Sequence, residues 1–93
     1  MKYEIKMSAV FKKELKNVKK QGKDISLLDE AVTILANGEK LPEKYHDHEL
    51  TGNWKEHREC HIQPDWLLIY KLTERELILT LVRTGSHSDL FRK

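Results

Sequence analysis

The chain has 93 residues, 39% hydrophobic and 34% charged, with a formal net charge of +2. That suits one small folded domain over residues 1–93 with a modest core, and no apolar run approaches the roughly 18–20 residues that span a bilayer, which excludes a helical membrane protein. The single cysteine, Cys60, excludes an internal disulfide, and residues 1–6 alternate with charge where a secretory leader would be apolar, so a cytoplasmic protein is expected.

Charge is unevenly placed. Residues 1–23 carry eight lysines against Glu4 and Glu14. A basic block on an otherwise near-neutral domain suits contact with a polyanion.

Tyr3 to Met7 alternates apolar and polar with period two, the pattern of a strand with one buried face. Ser8 is a good N-cap for a helix whose apolar stripe is Val10, Phe11, Leu15 and Val18, and Gly22 suits its C-terminal end. Lys12, Lys16, Lys19 and Lys20 lie off that stripe. Asp24 or Ser26 opens a second helix with Leu28, Ala31, Val32 and Leu35 on one face, closed by Asn37-Gly38. The short link between the two predicts an antiparallel helical hairpin. Residues 39–52 show no period and read as a loop of about a dozen residues, a length that usually has a function; it carries His46 and His48.

Three strands follow in the reading. Trp54 to Ile62 is unusually polar, with His57, Arg58, Glu59, Cys60 and His61, which marks an edge or a functional surface. Pro64-Asp65 suits a tight turn into Trp66–Leu72. Leu77–Val82 is almost continuously apolar, as a strand buried on both faces would be. It runs into Arg83-Thr84-Gly85-Ser86-His87, where Ser86 or Ser88 can cap a last short turn ending at Leu90-Phe91. The order strand, two helices, three strands predicts an antiparallel meander with the helical hairpin on one face, a two-layer α+β domain. The first strand's partner is left open.

Hairpin connectivity returns the end of the last strand to the Asp65 turn. His61, Asp65, Arg83 and His87 therefore converge by topology. Imidazoles, a carboxylate and a guanidinium are a kit for phosphodiester cleavage without a metal: one group takes a proton from a ribose 2′-hydroxyl, an imidazole protonates the leaving oxygen, and the guanidinium steadies the phosphorus-centred transition state. Histidine suits both proton roles because its reference pKa of about 6.5 lies near working pH. RNA carries the internal nucleophile, so RNA is the expected substrate. A zinc module is the competitor. His57 and His61 on a strand stand roughly 13 Å apart at about 3.3 Å per residue, too far to share an ion, and His46 with His48 has no supporting ligand frame. No metal and no cofactor are expected.

The strings His48-Glu49-Leu50-Thr51-Gly52, Arg58-Glu59-Cys60-His61-Ile62 with Pro64-Asp65-Trp66, and Arg83 through Phe91 resemble the YafQ branch of the RelE superfamily of bacterial toxins. The likeness is dense from His48 to Phe91. It implies the RelE-like α+β fold and an endoribonuclease that cuts messenger RNA on the translating ribosome and is neutralised by a cognate antitoxin, with DNA touched only through that antitoxin. The catalytic set so implied is His48, His61, Asp65 and His87, with Arg83 and Phe91 in the last motif. On this reading His87 is the general acid, and His48 or His61 with Asp65 forms the base system. Arg83 holds the phosphate, and Phe91 and Trp66 are candidates to stack on a base, although core packing suits Trp66 better. Lys12, Lys13, Lys16, Lys19 and Lys20 would meet ribosomal RNA phosphates. His46 and His57 match no motif position and read as surface residues, and Cys60 as a small buried one. The alternative is a catalytically inactive module of the same fold that represses its own promoter together with the antitoxin.

Overall fold

The computed structural model describes residues 1–91. Its elements are β1 (Glu4–Met7), α1 (Ala9–Lys20), α2 (Ile25–Ala36), β2 (His48–Glu49), β3 (Arg58–Gln63), β4 (Trp66–Thr73), β5 (Ile78–Gly85) and α3 (His87–Leu90). The strands form one sheet in the order β1-β5-β4-β3-β2. The meander β3-β4-β5 is antiparallel, as the turn chemistry predicts. β1 pairs in parallel with β5, which answers the question the sequence left open. β2, inside the predicted loop, adds a fifth, antiparallel strand on β3.

Local signals set the element ends. The Ser8 hydroxyl accepts the Phe11 N–H at 2.9 Å and donates to the Val82 carbonyl at 2.7 Å, so one side chain caps α1 and ties it to β5. Asp24 caps α2 by accepting the Ser26 N–H. Gly22 and Gly38 end the two helices, each at φ +79°, a conformation glycine adopts without Cβ strain. The polar strand is shorter than expected: β3 begins at Arg58, and Trp54 closes a 3₁₀ turn ahead of it.

The main core lies between the helices and the sheet. Phe11, Val18, Leu28, Ala31, Leu35, Cys60, Trp66, Leu68, Tyr70, Leu79 and Leu81 are all buried there. A smaller cluster covers part of the other sheet face, with Leu67, Ile69 and Leu90 at its centre and Leu50, Trp54, Val82 and Phe91 around it. Among the described residues no helix is long and apolar enough to cross a membrane.

β3 owes its polar composition to this division. Its buried Cys60 and Ile62 join the helix-side core, while Glu59 and His61 alternate onto the opposite face. On that face the cross-strand rows read His48–Glu59–Ile69 and His61–Leu67–Gly85. The second apolar cluster is thus the floor beside which the titratable groups stand.

Candidate active site

Three histidines reach one place from three elements. The edge strand β2 presents His48, β3 presents His61, and the start of α3 presents His87. The rings of His61 and His87 lie 5.8 Å apart between centroids, and those of His48 and His61 lie 6.5 Å apart. The predicted convergence of His61, Asp65 and His87, with His48 brought in, is therefore present. α3 holds its place through a capping box, in which Ser86 and Asp89 exchange side-chain and backbone hydrogen bonds. Gly85 makes that turn possible, because a Cβ there would stand 3.1 Å from an Asp89 oxygen at φ +153°.

Two carboxylates divide the imidazoles between them. Asp65 Oδ1 accepts from His87 Nδ1 at 2.9 Å and from the His87 backbone N–H at 3.1 Å. Glu59 Oε1 lies 3.3 Å from His48 Nε2 and 3.8 Å from His61 Nε2. Asp65 thus partners the proposed acid, not the base system to which the sequence reading joined it. Glu59, only 5% exposed, is the carboxylate of the other two histidines. The sequence reading passed over it, because its face is fixed only by the β2–β3 register. His48 Nδ1 donates to the His46 carbonyl at 2.8 Å, which turns Nε2 toward Glu59.

The electrostatics separate the histidines further. Burial lowers the His61 pKa below its ordinary value; the neighbouring imidazoles of His46, His87 and His48 add to this, and Glu59 only partly offsets it. The neutral form, which can take a proton, is favoured there. Asp65 is held below the usual carboxylate range, first by the His87 side-chain hydrogen bond and then by the His87 backbone N–H. Lys23 contributes to the same lowering and lies 5.9 Å from the Trp66 ring, a cation near the site that sequence reasoning did not assign.

The remaining expectations fare unevenly. Trp66 is fully buried, and its Nε1–H donates to Thr84 Oγ1 at 2.9 Å; it is a core residue and not a base-stacking platform. Arg83 is engaged elsewhere. Its Nε and Nη2 bond the Glu14 carboxylate at 2.9 and 2.7 Å, which ties β5 to α1 beyond the end of β1. The predicted position of Arg83 against a phosphate is therefore not the one it holds. The cause is a bulge: β4–β5 pairing jumps from Ile69–Arg83 to Tyr70–Leu81, and Glu14 also accepts the Thr84 N–H at 3.1 Å. Phe91 is half-buried, edge-on to Trp54 at 6.4 Å, with part of its ring in solvent. Lys12, Lys13, Lys16, Lys19 and Lys20 are all exposed on α1. His46 is not a bystander, since its ring meets His61 edge-on at 5.7 Å. His57 packs on Trp54. Cys60 is fully buried, and burial drives its thiol pKa upward, so it is no nucleophile.

One atom from each of Glu59, His61 and His87 lies within 4.8 Å of the others, a donor set of the kind that holds a divalent ion. The spacing in sequence gave no sign of it, because these residues come together from β3 and α3.

The two-layer α+β domain thus carries paired imidazoles and carboxylates on an open sheet face, the groups that acid–base chemistry uses. A profile for the family described as bacterial toxin of type II toxin-antitoxin system, YafQ, matches residues 3–92. The mRNA interferase toxin YafQ of Escherichia coli K12 is 43% identical over 89 residues, 95% of each chain. The crystal structure of the E. coli DinJ-YafQ complex contains a chain with 42% identity and a TM-score of 0.88, covering 96% of this chain and 98% of that one. The crystal structure of a metal-bound toxin from Helicobacter pylori matches at 47% identity and a TM-score of 0.90, covering 98% of this chain and 100% of that one. The chain belongs to the YafQ family of type II toxin–antitoxin toxins, and its fold is the one the resemblance implied.

Proposed function

We propose that the chain is the toxin of a toxin–antitoxin pair and cleaves messenger RNA by proton transfer between imidazoles. The observation that carries this is the division of partners: His87 held by ionised Asp65, and His61 beside it with a pKa lowered by burial. Neutral His61 takes the proton of a ribose 2′-hydroxyl. The 2′-oxygen bonds to the adjacent phosphorus, the bond to the 5′-oxygen breaks, and His87 gives that oxygen its proton. The products are a 2′,3′-cyclic phosphate and a free 5′-hydroxyl, with no oxidant or other reactant consumed. Glu59 orients His48 and His61 and stabilises the imidazolium formed during the reaction. Lys23 adds positive charge near the scissile phosphate, and Arg83 joins it only by exchanging Glu14 for the phosphate. The exposed part of Phe91 stacks on a neighbouring base.

The E. coli relative's name as an mRNA interferase and its complex with DinJ support this substrate and a protein antitoxin as partner. The exposed α1 lysines support a reading in which the toxin meets ribosomal RNA phosphates without reading sequence and cuts on the translating ribosome, in the cytoplasm. Primer extension on a translated message tests the reading: the wild type should leave defined stops, and His87→Ala should leave almost none. Equal cleavage by both would defeat the assignment of His87, and no cleavage by the wild type would favour the inactive repressor module.

The proton transfers need no metal. Glu59, His61 and His87 nonetheless make a set that a divalent ion fits, and a relative of the same fold is described as metal-bound. An ion held there would occupy the imidazole lone pairs that the reaction requires and so would inhibit.

A further inference from the structure

Asp47 stands between His46 and His48, yet its side chain contacts neither. Its carboxylate instead accepts three hydrogen bonds from side chains on the helix-side face of the sheet: Arg58 Nε at 3.2 Å and Arg58 Nη2 at 3.0 Å on Oδ2, and the Tyr70 hydroxyl at 2.6 Å on Oδ1. Tyr70 is 1% exposed in the helix-side core, so the anchor is rigid. A planar guanidinium bonded through two nitrogens adds orientation as well as strength.

The strand this clamp secures is weak by itself. β2 has two residues and only the pairs His48–Glu59 and Glu49–Arg58 on an open edge. Two ladder pairs cannot fix a side chain to within the fraction of an ångström that proton transfer needs. Period-two alternation then converts the anchor into placement. With Asp47 drawn toward Arg58 and Tyr70, His48 points to the face of Glu59 and His61. His46, at φ +49°, turns the chain so that its ring meets His61 and its carbonyl receives His48 Nδ1. A left-handed conformation at a non-glycine residue costs energy and persists only where the surroundings impose it.

We infer that the Asp47–Arg58–Tyr70 cluster is a positioning device that sets the imidazole of His48, and with it His46, against Glu59 and His61 from the opposite face of the sheet. The inference rests on the acid–base reading of the site. It also gives Arg58, which the sequence motif includes but the chemistry does not use, a physical role.

Asp47→Asn keeps the shape and an oxygen for Tyr70 but cannot accept both Arg58 bonds. It should lower kcat for RNA cleavage about 10- to 100-fold, the usual effect of removing a residue that orients a reacting one, with KM changed less than about two-fold. Arg58→Lys, which keeps the charge and loses the two-nitrogen geometry, should fall in the same direction. Circular dichroism and a thermal melt establish that each variant is folded. In a His48→Ala background Asp47→Asn should cost less than about two-fold, because the residue it positions is gone. A full additional loss in that background would overturn the inference. Imidazole carbon–proton NMR spectra provide a readout independent of turnover. Asp47→Asn should shift and broaden the His48 and His46 resonances while His87 stays in place. Unchanged His48 and His46 resonances would overturn the clamp even if the wild type cleaves no RNA, whereas an inactive wild type with shifted resonances would count against the catalytic reading alone.

Discussion

Asp65 and His87 meet twice: one carboxylate oxygen takes both the ring Nδ1–H and the backbone N–H of His87, at 2.9 and 3.1 Å. The residues are 22 apart in sequence, and the contact fastens α3 to the β3–β4 turn. It fixes the tautomer and leaves His87 Nε2 outside that bond. If His87 donates the proton to the leaving oxygen, a substrate whose leaving group needs no proton should rescue its loss. His87→Ala should be severely impaired on ordinary RNA. It should recover most of its rate on RNA with a sulfur in place of the scissile 5′-oxygen, as measured by single-turnover cleavage. His61→Ala should show no such recovery. Recovery by both variants, or by neither, would sink the assignment. Asp65→Asn should fall between, losing about 10- to 100-fold in kcat.

The His61 environment predicts a direction in pH. Burial and three neighbouring imidazoles lower its pKa below the ordinary value. As the base it must be neutral, so the acid limb of kcat/KM should fall below about pH 6.5, the reference value for histidine. The same shift bears on stability. As pH drops below that reference value, the unfolded chain takes up a proton on His61 before the folded one does, so the contribution is complete above the unfolded pKa and is lost as pH falls through the folded one. Replacing His61 with Gln should flatten the fall in melting temperature over that window. An acid limb above the histidine reference value would contradict this assignment.

A divalent ion should act as an inhibitor. Micromolar copper or zinc should suppress cleavage, and a chelator should restore it without lowering the metal-free rate. Isothermal titration should detect one site, weakened at least about ten-fold by Glu59→Gln, because a ligand has been replaced by a poor donor. Activation by the ion, or activity lost to the chelator, would end the metal-free mechanism.

Much of the architecture was legible because it is written in local patterns. The Ser8 cap, the glycines after both helices and the Pro64-Asp65 turn each name an element boundary, and the antiparallel meander follows from turn length. What the sequence hid depends on register. β2 is two residues long, below any detectable period. Without it there is no means of seeing that His48 lies opposite Glu59, or that Asp47 must point the other way. The pairing of Arg83 with Glu14 was hidden for a related reason: the bulge at Val82 changes the phase of β5 near its end, where the apolar run gives no warning.

The α1 lysines carry a prediction separate from catalysis. Reversing the charge of Lys12, Lys16 and Lys20, all exposed, should leave the fold intact and weaken binding to purified ribosomes. If each contacts a phosphate, the salt dependence should also become shallower, since fewer counterions are released. Binding that is unchanged across a salt series would remove the role.

Trp66 provides the test that separates core from site. Its ring is fully buried, and Thr84 joins it to the Leu67 carbonyl, accepting from Trp66 Nε1 at 2.9 Å and donating at 2.8 Å. Trp66→Phe removes the indole donor and leaves a small void. It should cost about 1–3 kcal/mol, the range for a broken buried hydrogen bond. Denaturant unfolding would measure that loss. Because the ring faces the helices, the variant at low temperature should cleave RNA at close to the wild-type rate per folded molecule. A base-stacking Trp66 would give the reverse result, with stability kept and KM raised several-fold.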